Sequence, residues 1–330
     1  MNQLGIVTIG RNEGQRLYRC LKSVVGRGPK VVYVDSNSTD GSVELARSVG
    51  AEVVELDVSR PICVPRARNE GFERLCKLDP DVRFVQFIDG DCEVVDGWLE
   101  KGLRILEERS DVAIVTGRRR ERFPEQTIYN QLADLDWDTP VGEIDTSHGD
   151  IMVRIDAFRQ VGGFDPEVFV AEDFELCIRL RQKGWILLRI DAEMTLHDMA
   201  MTKFGQWWKR TVRTGYGYAE GMRMHGKPPE KFFVRDVRSI LLWGALLPFV
   251  IIVLAWPTRG ASFFLLGGYL FLYWRVWRYG VRRGWPASTA RLFSLFCVLA
   301  KFPMLIGVIR YWASRIMQRP KPLIEYKDQK

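Results

Sequence analysis

Asp35, the pair Asp89 and Asp91, and the pair Glu172 and Asp173 are the positions whose types and spacing could do chemistry. Asp35 closes the apolar run Val31-Val32-Tyr33-Val34, and Asp89-Gly90-Asp91 closes Phe84-Val85-Gln86-Phe87-Ile88. Two carboxylates one residue apart on a turn can grip a divalent cation through oxygen ligands. Asp173, in Val170-Ala171-Glu172-Asp173-Phe174, falls in the predicted first turn of a helix, where the dipole favours an ionised carboxylate fit to take a proton. The adjacent Glu172 raises the local pKa by like-charge repulsion and orients an acceptor or the loop. Together these acids suggest metal-assisted transfer from a nucleotide donor. A single displacement with one carboxylate base inverts the reacting centre.

The elements that must position these acids alternate along the first 200 residues. Strands are predicted at Leu4–Ile9, up to Asp35, at Glu52–Leu56, at 83–88 and at 112–117, and helices at Asn12–Val25, 42–49, 65–78 and 96–108. Short β-branched and aromatic runs separated by helices are the mark of parallel βαβ units, so the fold class is α/β with a mostly parallel, Rossmann-like sheet. Acids that end such strands emerge at the carboxyl edge, where open α/β sheets bind ligands. The chain has no G-x-x-x-x-G-K-[ST], no G-x-G-x-x-G after the first strand and no G-x-S-x-G, which removes P-loop, dinucleotide and nucleophile-elbow chemistry. Six cysteines without paired spacing read as reduced, mostly buried thiols.

Charge divides the chain sharply. Residues 1–200 hold 26 Lys and Arg against 36 Asp and Glu, whereas residues 201–330 hold 22 against 5. Basic charge beside long apolar runs points to a membrane with anionic headgroups and not to nucleic acid. The reading is therefore a catalytic domain over 1–202, an amphipathic interface helix and linker over 203–238, and membrane-anchoring helices with a basic tail over 239–330. Ser239–Thr258 is 20 residues without a charge, enough to span a hydrocarbon core, with Pro248 kinking it. Gly260–Trp274 is a shorter second run, and Leu292–Ile309 a third, interrupted by Lys301 and Pro303. Counting Lys and Arg puts the 275–291 loop and the tail from Arg310, with Arg315, Arg319 and Lys321, in the cytoplasm. That expectation gives two spans and a third segment that re-enters or lies flat, broken at Pro303. With no secretory leader before the first strand, the catalytic domain is expected on the cytoplasmic side of a multi-pass inner-membrane protein.

Six stretches in order resemble the family 2 glycosyltransferases, the inverting enzymes of GT-A fold. They are Val7-Thr8-Ile9-Gly10-Arg11-Asn12-Glu13, Val34-Asp35-Ser36-Asn37-Ser38-Thr39-Asp40-Gly41, Ala67-Arg68-Asn69-Glu70-Gly71, Ile88-Asp89-Gly90-Asp91, Val161-Gly162-Gly163-Phe164-Asp165 and Glu172-Asp173. The resemblance implies a nucleotide-sugar donor, uridine-linked, with Mg²⁺ or Mn²⁺, and a lipid-borne acceptor such as a polyprenyl-diphosphate saccharide on the way to an exopolysaccharide or other cell-envelope glycan. It implies Asp91 as metal ligand, Asp89 at the ribose or a metal-bound water, and His197 at the metal or the diphosphate. Asp35 would recognise the nucleobase, Arg68, Asn69 and Gly149 would sit near the donor, and His148 near the acceptor. Processive members carry Q-x-x-R-W in the following helix. This chain has Gln206, Trp207, Lys209 and Arg210 there, with the final Trp missing, so Gln206 and Trp207 are assigned to the acceptor and Lys209 and Arg210 to the donor. A processive polysaccharide synthase and a non-catalytic sugar-nucleotide-binding membrane protein are the alternatives.

Overall fold

The computed structural model describes residue 1 and residues 3–318, so the tail cations Arg319 and Lys321 and the closing stretch Leu323–Lys327 lie outside the described residues. The chain divides into two units, one from Met1 to Ala200 and one that begins at Met201.

In the first unit the apolar runs become the strands β1 (Leu4–Gly10), β2 (Lys30–Asp35), β3 (Glu52–Glu55), β4 (Phe84–Asp89), β5 (Cys92–Val94), β6 (Val112–Glu121), β7 (Gly142–Glu143), β8 (Ile151–Arg154) and β9 (Ile186–His197). Between them run the helices α1 (Gln15–Lys22), α2 (Ser42–Ser48), α3 (Val64–Leu78), α4 (Trp98–Glu108), α5 (Ile128–Asp136), α6 (Ile155–Gln160) and α7 (Glu172–Gln182). The strands form one sheet in the order β3-β2-β1-β4-β8-β6-β9-β5, with β7 on β9. Strands β3, β2, β1 and β4 are parallel. Strand β8 is antiparallel to β4 and β6, and β9 is parallel to β6 and antiparallel to β5.

Both faces of the central strands are covered, which is why these strands read as unbroken apolar runs. Val7, Val34 and Phe87 pack with Phe72, Leu75, Phe158 and Leu176 of α3, α6 and α7 on one face. Leu4, Tyr33 and Met152 pack with Leu17, Leu21, Trp98 and Leu103 of α1 and α4 on the other. Helix α3 approaches β1 at Gly71, where a Cβ would lie 2.5 Å from Val7 Cγ1. The register sets the edge: Gly10 lies opposite Asp35, and Ile9 opposite Asp89, so both acids flank the end of β1.

Two sequence expectations are corrected here. The first helix starts at Gln15 and not at Asn12, because Asn12 and Gly14 both take positive φ (55° and 47°). Strand β6 runs on to Glu121 where 112–117 was expected, continuing past irregularities on either side of Arg118. The run Arg118-Arg119-Arg120 pairs with β9.

The second unit opens with α8 (Phe204–His225). Two helices among the described residues are long and apolar enough to cross a membrane by length and composition, Val234–Ala255 and Ala287–Ile316. The first widens to a π-turn over Leu242–Leu246 directly before Pro248, whose missing N–H cannot bond back to Gly244. The second expected span, 260–274, forms a tight 3₁₀ stretch over Ala261–Leu266 and then the helix Gly267–Arg282, which carries Arg275 and Arg278. It is therefore not one of the two candidates. Pro303 does not break the third segment. Only Ala300 leaves the regular pattern, and Pro303 falls in the first turn after it, where a missing N–H is best tolerated. Residues 301–316 cross α8 closely, since a Cβ on Gly307 would lie 2.1 Å from Val212 O and one on Gly215 2.1 Å from Met304 O.

Candidate active site

Arg68 is the hub of the carboxyl edge. It sits in the first turns of α3, 2 % exposed, over the ring of Phe164 at 5.1 Å. Its Nη2 donates to Asp89 Oδ1 at 3.0 Å, while Nη1 is ion-paired to Asp173 and lies 3.4 Å from Glu172 Oε1. Three acids from two separate stretches are thereby drawn to one guanidinium. A planar, permanently charged fork suits this better than lysine would.

Asp173 lies at the start of α7, as the sequence predicts. Ala171 before it holds the left-handed conformation at φ 68°, strain of the kind stored at functional turns. The backbone N–H of Gly149 donates to Asp173 Oδ2 at 2.9 Å, and His148 meets Phe174 edge-on at 4.9 Å. The 148–149 loop and the helix start thus hold each other. Gly149 is itself constrained, at φ 46° with its missing Cβ 2.4 Å from Arg119 Nη1. Gly149→Ala should therefore cost about 1–3 kcal/mol of stability and push Arg119 off Asp89. Thermal unfolding and transfer assays check this, and a variant with unchanged melting temperature and rate contradicts it.

Arg119 and Asp150 were not singled out from the sequence. Arg119 Nη2 donates to Asp89 Oδ2 at 3.3 Å, and its guanidinium lies 4.9 Å from the ring of Trp137. Asp150, fully buried, accepts the backbone N–H of Asp89 at 3.0 Å and the hydroxyl of Thr195 at 2.6 Å. Burial pushes the Asp150 carboxyl up. Burial acts on Asp89 in the same sense, but Arg68 and Arg119 outweigh it and hold that carboxyl below the usual carboxylate range. The alternation of β6 was the available signal, because Arg119 is buried where its neighbour Arg120 is exposed.

Asp91 and His197 meet because Cys92 pairs with His197 across β5 and β9. His197 Nε2 lies 3.1 Å from Asp91 Oδ2. Burial disfavours the charged imidazole, yet Asp91 outweighs it and raises the histidine above its ordinary value. Two cis ligands of an octahedral ion bound at about 2.1 Å stand about 3 Å apart, so the pair fits a divalent cation. Asp91, Cys92 and His197 bring one possible ligand atom each within 4.8 Å of one another. Asp89 belongs to a second such group, with Cys92 and Asp150, and is also held between the two arginines. Burial raises the Cys92 thiol well above its ordinary value, which suits the packing role read from the sequence.

The remaining predicted residues have the following partners. Asp35, 2 % exposed, accepts from Tyr33 Oη and from the backbone N–H of Ser38, both at 2.8 Å. Asn69 bonds the backbone of Phe164, donating at 2.7 Å and accepting at 3.0 Å, and so shapes the 163–164 turn. Gln206, Trp207, Lys209 and Arg210 lie on α8 of the second unit. The Gln206 amide oxygen accepts the backbone N–H groups of Thr202 and Lys203, and Trp207 is buried edge-on to Phe296 at 4.8 Å. Lys209 is exposed and Arg210 half-buried.

A mostly parallel sheet with its acids gathered at the carboxyl edge around a buried arginine has the ligand-binding edge of an open α/β fold. The comparisons make this specific. Residues 6–160 match the model for Glycosyl transferase family 2. The fold aligns with the mannosyltransferase PcManGT of Pyrobaculum calidifontis, solved with GDP-Man and Mn²⁺, at a TM-score of 0.59 and 17 % identity over 94 % of this chain and 87 % of that one. In sequence the chain is 23 % identical to glycosyltransferase AglE of Haloferax volcanii over 245 residues, 70 % of this chain and 76 % of AglE. It is 36 % identical over 93 residues to the N-acetylglucosaminyl-diphospho-decaprenol L-rhamnosyltransferase of Mycobacterium tuberculosis, covering 28 % of this chain and 30 % of that protein. Residues 6–160 thus form a family 2 glycosyltransferase domain, and the fold is GT-A.

Proposed function

We propose that this glycosyltransferase is membrane-anchored and inverting, and moves a sugar from a nucleotide-sugar, uridine-linked, to a saccharide on a polyprenyl diphosphate. The observation that carries the reading is the convergence of Asp89, Glu172 and Asp173 on Arg68, beside the Asp91–His197 pair. One edge thereby holds a cation site, fixed positive charge and a carboxylate with a lone pair free on each oxygen. Nucleotide-sugar use is supported by the GDP-Man in the PcManGT complex, and the lipid-linked acceptor by the name of the mycobacterial relative.

Asp91 and His197 would hold Mg²⁺ or Mn²⁺, which supplies electrophilic neutralisation of the departing diphosphate. Arg68 and Arg119 keep Asp89 ionised toward the donor. Asp173 takes the proton of the attacking hydroxyl, its carboxylate aimed by the Gly149 N–H and by Arg68. One base on one face gives inversion. Screening purified protein against nucleotide-sugars, followed by transfer to a polyprenyl-diphosphate acceptor, tests the whole reading. Release of nucleoside diphosphate with an inverted product is expected. No release from any donor, or retention at the anomeric carbon, overturns it.

Anchoring is supported by the lipid-ready surface of the second unit, where Trp256 is 92 % and Phe264 89 % exposed. The clasp between residues 301–316 and α8, which carries Lys209, Arg210, Arg213 and Arg223, favours a third helix whose end lies at the cytoplasmic interface. A Met317→Cys variant lacking the native cysteines should resist a membrane-impermeant thiol reagent on intact cells. Labelling from outside would place that end across the membrane and overturn the reading.

A further inference from the structure

Glu121 is a buried acid with no part in the reaction described above. It follows Arg118-Arg119-Arg120 and reads as one more surface charge, yet its side chain is 0 % exposed. Its Oε2 accepts the backbone N–H of Met199 at 3.1 Å and lies 3.5 Å from His197 Nδ1. Its Oε1 accepts the backbone N–H of Phe123 and the amide of Asn130, each at 3.3 Å. Three of the four neighbours hold the carboxylate still, and the fourth is the imidazole.

The register of the sheet makes this arrangement. Strand β6 places Glu121 opposite His197 on one side, and β5 places Cys92, next to Asp91, opposite His197 on the other. The ring therefore lies between two acids, with Nε2 toward Asp91 and Nδ1 toward Glu121, and Trp137 closes its face at 4.8 Å. A histidine that binds a metal through one nitrogen commonly gives its other N–H to a carboxylate, which fixes both tautomer and ring orientation.

We propose that Glu121 is a positioning residue that holds His197 in the Nδ1–H form, so that Nε2 is presented with Asp91 as a metal ligand. This rests on the metal reading above. A freely rotating imidazole would present Nε2 to the site for only part of the time, and as the Nε2–H tautomer it could not ligate through Nε2.

Mn²⁺ binding to the purified full-length protein, followed by electron paramagnetic resonance without donor, tests the proposal. Glu121→Gln keeps the volume and should weaken Mn²⁺ binding about 10–100-fold. Binding lost in His197→Ala but intact in Glu121→Gln overturns the positioning role alone. Wild-type binding in both variants removes His197 from the metal site, and the proposal falls with it. Should Glu121→Gln fail to fold, the wild-type protein still decides. The chain has three histidines, and long-range ¹⁵N–¹H correlation at a pH where imidazoles are neutral reports each tautomer. With diamagnetic Mg²⁺ bound, a proton on Nδ1 of His197 is expected, and one on Nε2 overturns the assignment.

Discussion

Asp173→Asn is expected to lower sugar transfer by about 10²–10⁴-fold while donor binding stays within a few-fold of the wild type. The substitution keeps the shape of the side chain but removes its capacity to take the proton from the acceptor hydroxyl. It also touches the surroundings, because the carboxylate accepts from the Gly149 N–H at 2.9 Å and is ion-paired to Arg68. An amide can satisfy one of these contacts with its oxygen and must turn its nitrogen toward the other. Donor affinity and thermal unfolding separate that disturbance from a loss of chemistry. Glu172→Gln is the natural comparison, since Glu172 meets Arg68 only at 3.4 Å and should matter less. A variant at position 173 that transfers at nearly the wild-type rate would show that another group takes the proton.

Much of the fold was legible because its strands are short, apolar and buried on both faces. Such strands leave a strong signal, and acids at their ends mark the edge where ligands bind. Asp35 and Asp89 stand out in this way, and Asp173 by its place at a predicted helix start. Arg119 and Glu121 were missed for a physical reason: both belong to a charged run, and charge alone suggests solvent. Their burial follows from the pairing of β6 with β9, a contact between residues far apart in sequence that no local pattern announces. Asp89 shows the same limit differently. The Asp-Gly-Asp spacing suggests two acids sharing one cation, whereas the fold gives Asp89 to two arginines and Asp91 to a histidine. Spacing identified the acids, but only the sheet assigned their partners. Pro303 was misjudged because a proline's cost depends on its place in the helix, and position after a turn is not visible in composition.

Asp91→Ala is expected to abolish metal-dependent donor binding, and chelation of the wild-type protein should reproduce the loss. The argument is one of charge. A nucleoside diphosphate leaves with negative charge that must be neutralised in a site already rich in carboxylates. Arg68 and Arg119 cannot supply that alone, because both are already committed to the acids of the edge. Removing the Asp91 carboxylate also takes away the more influential of the two acids that favour the proton on the buried His197, so the imidazole should shift toward its neutral form. The variant therefore loses a ligand without filling the place with a fixed cation. Isothermal titration of Mn²⁺ and of nucleotide-sugar, each alone and together, measures the effect, with Asp91→Asn as the variant that keeps the volume. Donor binding and transfer that persist in excess chelator would sink the metal-assisted mechanism. Asp91 and His197 would then be a structural ion pair that closes β5 against β9.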